Sequence, residues 1–218
     1  MSDPDPKTPN PNKGISGLWD SIAGKPVHKV DSVEGSRTGM WDTHYADTDR
    51  NTVYDDPKTA DMAAAFLNQP DIVTVEDWGC GYGGFKAHLA DHQTYIGVDG
   101  SKTQAATKIV DLEKYTSTPD AVHLRHVLEH NPNWEPILVN ALKSFQERMV
   151  LTLFTPFKGR TQVLNEYHNY NGTGITMVDI AFKRSDIVNH LESFNWTSEE
   201  GLATDSQYKV EHIFCLTR

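Results

Sequence analysis

Acids, alternating glycines and histidines in this chain are spaced as binding and proton-transfer chemistry would need them. Val73-Thr74-Val75-Glu76-Asp77-Trp78-Gly79-Cys80-Gly81-Tyr82-Gly83-Gly84-Phe85 runs from apolar, β-branched residues into an acid and then through glycines. Phe85-Lys86-Ala87-His88-Leu89 follows, and a helix over 84–91 is expected there. Glycine at alternate positions permits dihedrals that a Cβ forbids and lets a ligand lie against bare backbone. A helix starting at that point aims free N–H groups and its positive end at the ligand. This is the chemistry of a nucleotide-type cofactor loop at the end of a strand.

The order of the acids bears on which cofactor. Gly79, Gly81 and Gly84 satisfy G-x-G-x-x-G, and Asp99 lies 20 residues after Gly79, as a dinucleotide site wants. Asp77, two residues before the first glycine, argues otherwise. A carboxylate there repels a pyrophosphate but pairs with an ammonium. A further acid ends Lys108-Ile109-Val110-Asp111-Leu112, and Asp120-Ala121-Val122-His123-Leu124 runs into Arg125-His126-Val127-Leu128-Glu129-His130. Over roughly residues 40–155 this ordered set resembles the class I S-adenosylmethionine-dependent methyltransferases. That family carries an acid before G-x-G-x-G, an acid ending the second strand, an acid–hydrophobe pair after the third and often V-L-E-H after the fourth.

The resemblance implies roles for particular residues. Gly79, Cys80, Gly81 and Gly83 would let the backbone approach the methionine end of S-adenosylmethionine, with Asp77 on its ammonium. Asp99, followed by Gly100 and Ser101, suits two vicinal ribose hydroxyls, since a carboxylate offers two acceptor oxygens. Asp111 suits the adenine amino group, with Leu112 against the ring. Asp111 can equally be a plain loop carboxylate. Arg125 and His126 open the loop beneath the cofactor, where His130 is a general-base candidate, because imidazole titrates near neutral pH. His130 and Glu129 can instead simply bond to backbone and shape the loop. Arg37, Trp41, Asp42, His44 and Tyr45 form a segment that would fold over the cofactor. Tyr45 would touch the methionine carboxylate, or else pack with Trp41 as an ordinary aromatic.

His126-Val127-Leu128-Glu129-His130 also spells H-x-x-E-H, a zinc-peptidase pattern. Zinc chemistry needs both histidines on one face of a continuous helix. Here the segment follows a strand and runs into Asn131-Pro132, which disfavours helix. No metal is expected.

These residues must be held by elements. Strands are expected at 72–77, 94–99, 108–111, 120–124 and 149–154, with helices near 102–107 and over 134–147 between them. Such alternation implies an α/β three-layer sandwich, a parallel Rossmann-like sheet with helices on both faces. Asp42 to Leu67 reads as helical in part, Thr59 to Leu67 most strongly, as an N-terminal lid that ends at Asn68-Gln69-Pro70. Residues 157–180, with Glu166-Tyr167-His168-Asn169-Tyr170-Asn171, read as a cap after the fifth strand: an acceptor pocket or a solvated loop. Arg184 to Phe194 suits a helix, and Tyr208 to Leu216 alternates as strands do.

Length and composition bound the rest. The chain has 218 residues, 38% of them hydrophobic, and a formal charge of −10. One core is the natural expectation, with 1–35 a flexible extension and 36–218 the methyltransferase domain. Leu18 to Ile22 would be a small apolar anchor. The acidic balance and lack of a Lys/Arg run argue against nucleic acid or an anionic membrane as partner. Two cysteines make no disulfide framework, and free thiols suit a cytoplasmic protein. The start lacks the pattern of a signal peptide. The expected reaction is methyl transfer to oxygen or nitrogen of a small-molecule or glycan-type acceptor. Rivals are methylation of protein or RNA, a nicotinamide-dependent oxidoreductase, and a non-catalytic cofactor-binding partner. Oligomeric state is not readable.

Overall fold

The computed structural model describes residues 39–46, 57–172 and 174–218. The expectations for residues 1–35, the turn at Leu18 to Ile22, and Arg37 fall outside these residues. So does 47–56 of the lid.

Nine strands are described: β1 Thr74–Trp78, β2 Thr94–Asp99, β3 Ala106–Ile109, β4 Ala121–Arg125, β5 Arg148–Leu153, β6 Gln162–Tyr167, β7 Met177–Ala181, β8 Asn195–Leu202 and β9 Glu211–Thr217. The α-helices are α1 Asp42–Tyr45, α2 Pro57–Leu67, α3 Trp134–Ser144 and α4 Arg184–Leu191. Seven strands form one sheet in the order β3-β2-β1-β4-β5-β9-β8. β1 to β5 are mutually parallel, and β9 runs antiparallel to both neighbours. The chain moves outward from β1 through β2 to β3, then returns to the other side of β1 as β4. That reversal opens a crevice beyond the carboxyl ends of β1 and β4, where open α/β sheets take ligands.

The two-residue period of a strand splits each one between two faces. Trp78, Val122 and Leu124 pack in one cluster with Ile137 and Leu138 of α3 and Ile187 and Leu191 of α4. Val75, Ala121 and Val150 pack on the opposite side with Ala63 and Leu67 of α2 and with Phe85. The three-layer α/β sandwich follows from this division. No described helix is long and apolar enough to cross a membrane.

Three expectations need correction. The helix over 84–91 is a five-residue 3-10 helix, Gly84–His88, ended by Leu89 in an extended conformation. So short a piece brings little macrodipole to the loop. No helix forms near 102–107. The Thr103 hydroxyl accepts from the backbone N–H groups of Ala105 and Ala106 at 3.1 and 2.9 Å, and the chain enters β3 directly. A short polar side chain bonding to nearby backbone competes with helix in this way. The cap is more regular than a loop, because β6 and β7 pair antiparallel as a separate two-stranded sheet.

Candidate active site

A cavity of about 380 Å³ lies beyond the carboxyl ends of the parallel strands. Asp77, Gly79, Cys80 and Gly81 after β1 line it, with Asp99, Gly100 and Ser101 after β2, Asp111 and Leu112 after β3, and Arg125, His126 and His130 after β4. Tyr45 of α1 closes one side. These residues are distant in sequence, and the parallel sheet brings them together.

Gly79 has φ +71°, and a Cβ there would stand 2.3 Å from Cγ2 of Val127. The glycine loop is therefore pressed against the turn after β4. Gly83 departs from expectation. It is not among the lining residues, and a Cβ on it would meet the Cβ of Ala105 at 2.4 Å. Its φ of +77° and this packing give it a structural task, seating the loop on the segment before β3.

Asp77 is buried, and both oxygens have protein partners. Oδ1 lies 2.8 Å from Nδ1 of His123, and Oδ2 accepts from the Tyr95 hydroxyl at 2.8 Å. His123 is itself 2% exposed and stacks on Phe85 at 3.7 Å between centroids. Its Nε2 is buried with no hydrogen-bond partner among the described residues. Asp99 accepts from the backbone N–H groups of Gly81 at 3.0 Å and Ser101 at 2.9 Å. Burial nevertheless outweighs these bonds and pushes its carboxyl up to about 6. Asp111 accepts from Glu113 N–H at 3.1 Å and pairs with Lys114 at 3.1 Å.

The segment 39–46 is tied to the loop after β2. Gly39 N–H donates to Gly100 O at 2.6 Å, Trp41 N–H to the Ser101 hydroxyl at 2.7 Å, and Lys102 N–H to Asp42 at 2.7 Å. Trp41 then stands 6.0 Å from His130 and 5.8 Å from Tyr170, centroid to centroid. Phe154 and Met177 complete an aromatic and apolar edge near His130.

The chain after β4 does not make a zinc helix. His126 has φ +55°, and Leu128–His130 is a single 3-10 turn. Each polar side chain goes to a different partner. His126 Nε2 lies 2.9 Å from Glu211, Glu129 accepts from Phe154 N–H at 2.6 Å, and His130 Nδ1 is 3.0 Å from Val178 O. Burial lowers His126 to about 4 and raises Glu129 to about 7. Burial also works against a charged His130, but the Asp179 carboxylate and the Val178 carbonyl outweigh it and hold the ring above its ordinary value.

Residues 59–198 match the family Methyltransf_23, described as a methyltransferase domain. The chain belongs to the class I S-adenosylmethionine-dependent methyltransferases. Solved structures agree in fold. The Burkholderia thailandensis 1,6-didemethyltoxoflavin-N1-methyltransferase, with bound 1,6-didemethyltoxoflavin and S-adenosylhomocysteine, aligns with TM-score 0.60 at 14% identity, over 81% of this chain and 84% of its own. DhpI, in a complex named DhpI-SAM-HEP, aligns with TM-score 0.56 at 16% identity, over 82% and 94%. The magnesium protoporphyrin IX methyltransferase of Synechocystis PCC 6803, with bound SAM, aligns with TM-score 0.53 at 20% identity, over 74% and 78%. No curated protein matches by sequence.

In this methyltransferase, sequence reasoning missed three polar residues of the site. His123 and Asp179 sit inside apolar strands, in Ala-Val-His-Leu and Met-Val-Asp-Ile. Gln207 comes from the β8–β9 connection and also lines the cavity. A charged or polar residue in a continuous apolar run was the available signal, since such groups are buried only with partners.

Proposed function

We propose that this enzyme transfers a methyl group from S-adenosylmethionine to an oxygen or nitrogen of a small molecule. One observation carries the reading: three carboxylates from three strand ends and His130 line a single cavity. Its volume, about 380 Å³, falls in the range of small-molecule sites. The named acceptors of the structural neighbours, 1,6-didemethyltoxoflavin and magnesium protoporphyrin IX, are also small molecules.

The residues present fit the cofactor. The cavity's acidic lining favours a cationic ligand. Burial raises Asp99, so a diol that donates two hydrogen bonds would recover the ionised form. Asp99 would hold the ribose and Asp77 the ammonium, and Gly79 and Gly81 would leave the backbone bare beside the methionine end. Asp111 and Leu112 would take the adenine. When bound, S-adenosylmethionine supplies an electrophilic methyl group on a positively charged sulfur. The protein's part is alignment, which contributes most by fixing the approach of the nucleophile. Trp41, Tyr170 and Phe154 would exclude water from the acceptor edge, and His130 would take the acceptor's proton.

Calorimetric titration tests this. S-adenosylhomocysteine should bind, and NAD and NADP should show no comparable heat. Tight dinucleotide binding with no response to S-adenosylhomocysteine would remove the proposal.

A further inference from the structure

Asp179 lies in β7, outside every motif read from the sequence, yet it is fully buried. Its Oδ1 has no hydrogen-bond partner among the described residues and stands 3.3 Å from Nδ1 of His130, in ion-pair range. Its Oδ2 accepts from the Tyr208 hydroxyl at 2.8 Å and from the Gln207 amide at 2.9 Å. Nδ1 of His130 donates to Val178 O at 3.0 Å, with the Asp179 carboxylate beside it as an electrostatic partner. That fixes the tautomer with hydrogen on Nδ1 and leaves Nε2 as the acceptor nitrogen of a cavity-lining ring.

We propose that Asp179 is the positioning residue of a His130–Asp179 base, and that this base commits the site to a phenol-type hydroxyl on an aromatic acceptor. The inference rests on the methyltransferase reading above. A neutral amine attacks through its own lone pair and needs no base before the transfer, so an oriented, carboxylate-backed imidazole would be idle for it. A phenol titrates near 10, as tyrosine does, within a few units of imidazole. A carboxylate-backed imidazole also serves an aliphatic hydroxyl, as in Ser-His-Asp triads, so the choice of a phenol rests on the ring faces beside the base. Trp41, Phe154 and Tyr170 supply ring faces beside His130.

In the step, the phenol proton passes to Nε2 while an oxygen lone pair forms the bond to the methyl carbon. The methyl–sulfur bond breaks, and its electron pair stays on sulfur as a neutral thioether. Asp179 stabilises the imidazolium, which later returns its proton to water. The charged or titratable groups facing His130 are Asp179 from β7, Glu129 from its own turn and His126 from the end of β4.

NMR titration of the His130 ring in the cofactor-free protein reads the pair directly. The inflection should lie above that of exposed histidines and fall by roughly one unit or more in Asp179→Asn. Tyr208→Phe strips one donor from Asp179 while sparing the carboxylate, and should move the inflection upward; it serves if Asp179→Asn does not fold. With para-substituted phenols and the matching anilines as probe acceptors, wild type should methylate phenols in preference. Asp179→Asn should lower that rate about 10-fold or more, and shift the acid limb of its pH profile down with the ring. S-adenosylhomocysteine affinity should stay unchanged. An unmoved His130 inflection in both variants, or transfer to anilines in preference to phenols, overturns the proposal. Failure of wild type to bind S-adenosylhomocysteine would instead remove the methyltransferase reading and leave the titration result standing.

Discussion

His123 and Asp77 form a buried pair 2.8 Å apart, bridging β4 and β1 at matched register positions beneath the glycine loop. Asp77 thus reaches the cavity with its geometry set by His123 on one oxygen and Tyr95 on the other. Asp77→Asn should weaken S-adenosylhomocysteine by about 1.5–3 kcal/mol, the scale of a hydrogen bond to a charged group. His123→Ala should cost more stability than affinity, about 3–5 kcal/mol in chemical denaturation, because it strands a buried carboxylate. An Asp77→Asn protein with wild-type affinity would take Asp77 out of the ligand site.

Asp99 makes affinity pH-dependent. Burial pushes its free carboxyl up to about 6, and two hydrogen bonds from the proposed ribose would hold it ionised. Affinity should be full above that point. It should fall as pH drops through it, approaching about tenfold per unit while a single proton is taken up. Asp99→Ala should abolish this dependence and weaken binding by about 2–4 kcal/mol. It should also lower apo stability, because Gly81 and Ser101 lose their acceptor. Titrations between pH 5 and 8 check both.

Glu76 points to the other face of β1 and carries no ligand task. It bonds to Lys108 at 2.7 Å, Tyr115 at 3.1 Å, Ser117 at 2.6 Å and Trp78 at 2.8 Å. Burial opposes its ionisation, but Lys108, Ser117 and Trp78 outweigh that and hold the carboxyl below its usual range. A lowered folded value contributes stability above the unfolded value, and this is lost as pH falls through the folded one. Glu76→Ala should destabilise by about 1–3 kcal/mol, because the Trp78 and Ser117 donors lose their acceptor, and flatten the acid limb of a Tm–pH curve.

Gly79→Ala places a methyl in the path of Val127 and asks alanine to hold φ +71°. The expected loss is about 1–3 kcal/mol of stability, with weaker cofactor binding. Adding Val127→Ala should relieve the clash and leave the backbone strain. Thermal unfolding of the double variant should therefore recover only part of the loss.

Asp77, Asp99 and Asp111 were legible because each ends an apolar run, where a parallel strand delivers its last residues to the crevice. His123 and Asp179 were not. Their meaning lies in partners 46 and 49 positions away, which no local pattern encodes. β8 escaped because Asn195-Trp-Thr-Ser-Glu-Glu-Gly is an edge strand that is polar on both faces, so its half-buried positions carry polar residues as well as Trp196. A glycine pressed on a neighbouring chain segment, as Gly83 is on Ala105, and a glycine beside a ligand look alike in sequence. The short 3-10 piece at Gly84–His88 shows the limit of reading helix from composition alone.

The bonds from Gly39 and Trp41 to Gly100 and Ser101 make one body of the loop proposed to seat the ribose and the aromatic wall beside His130. A ligand that orders that loop should also order the wall, and the two substrates should then favour each other by equal free energies. Acceptor dissociation constants measured with and without S-adenosylhomocysteine read the reciprocity, and equal values would show that the wall stands without the seat.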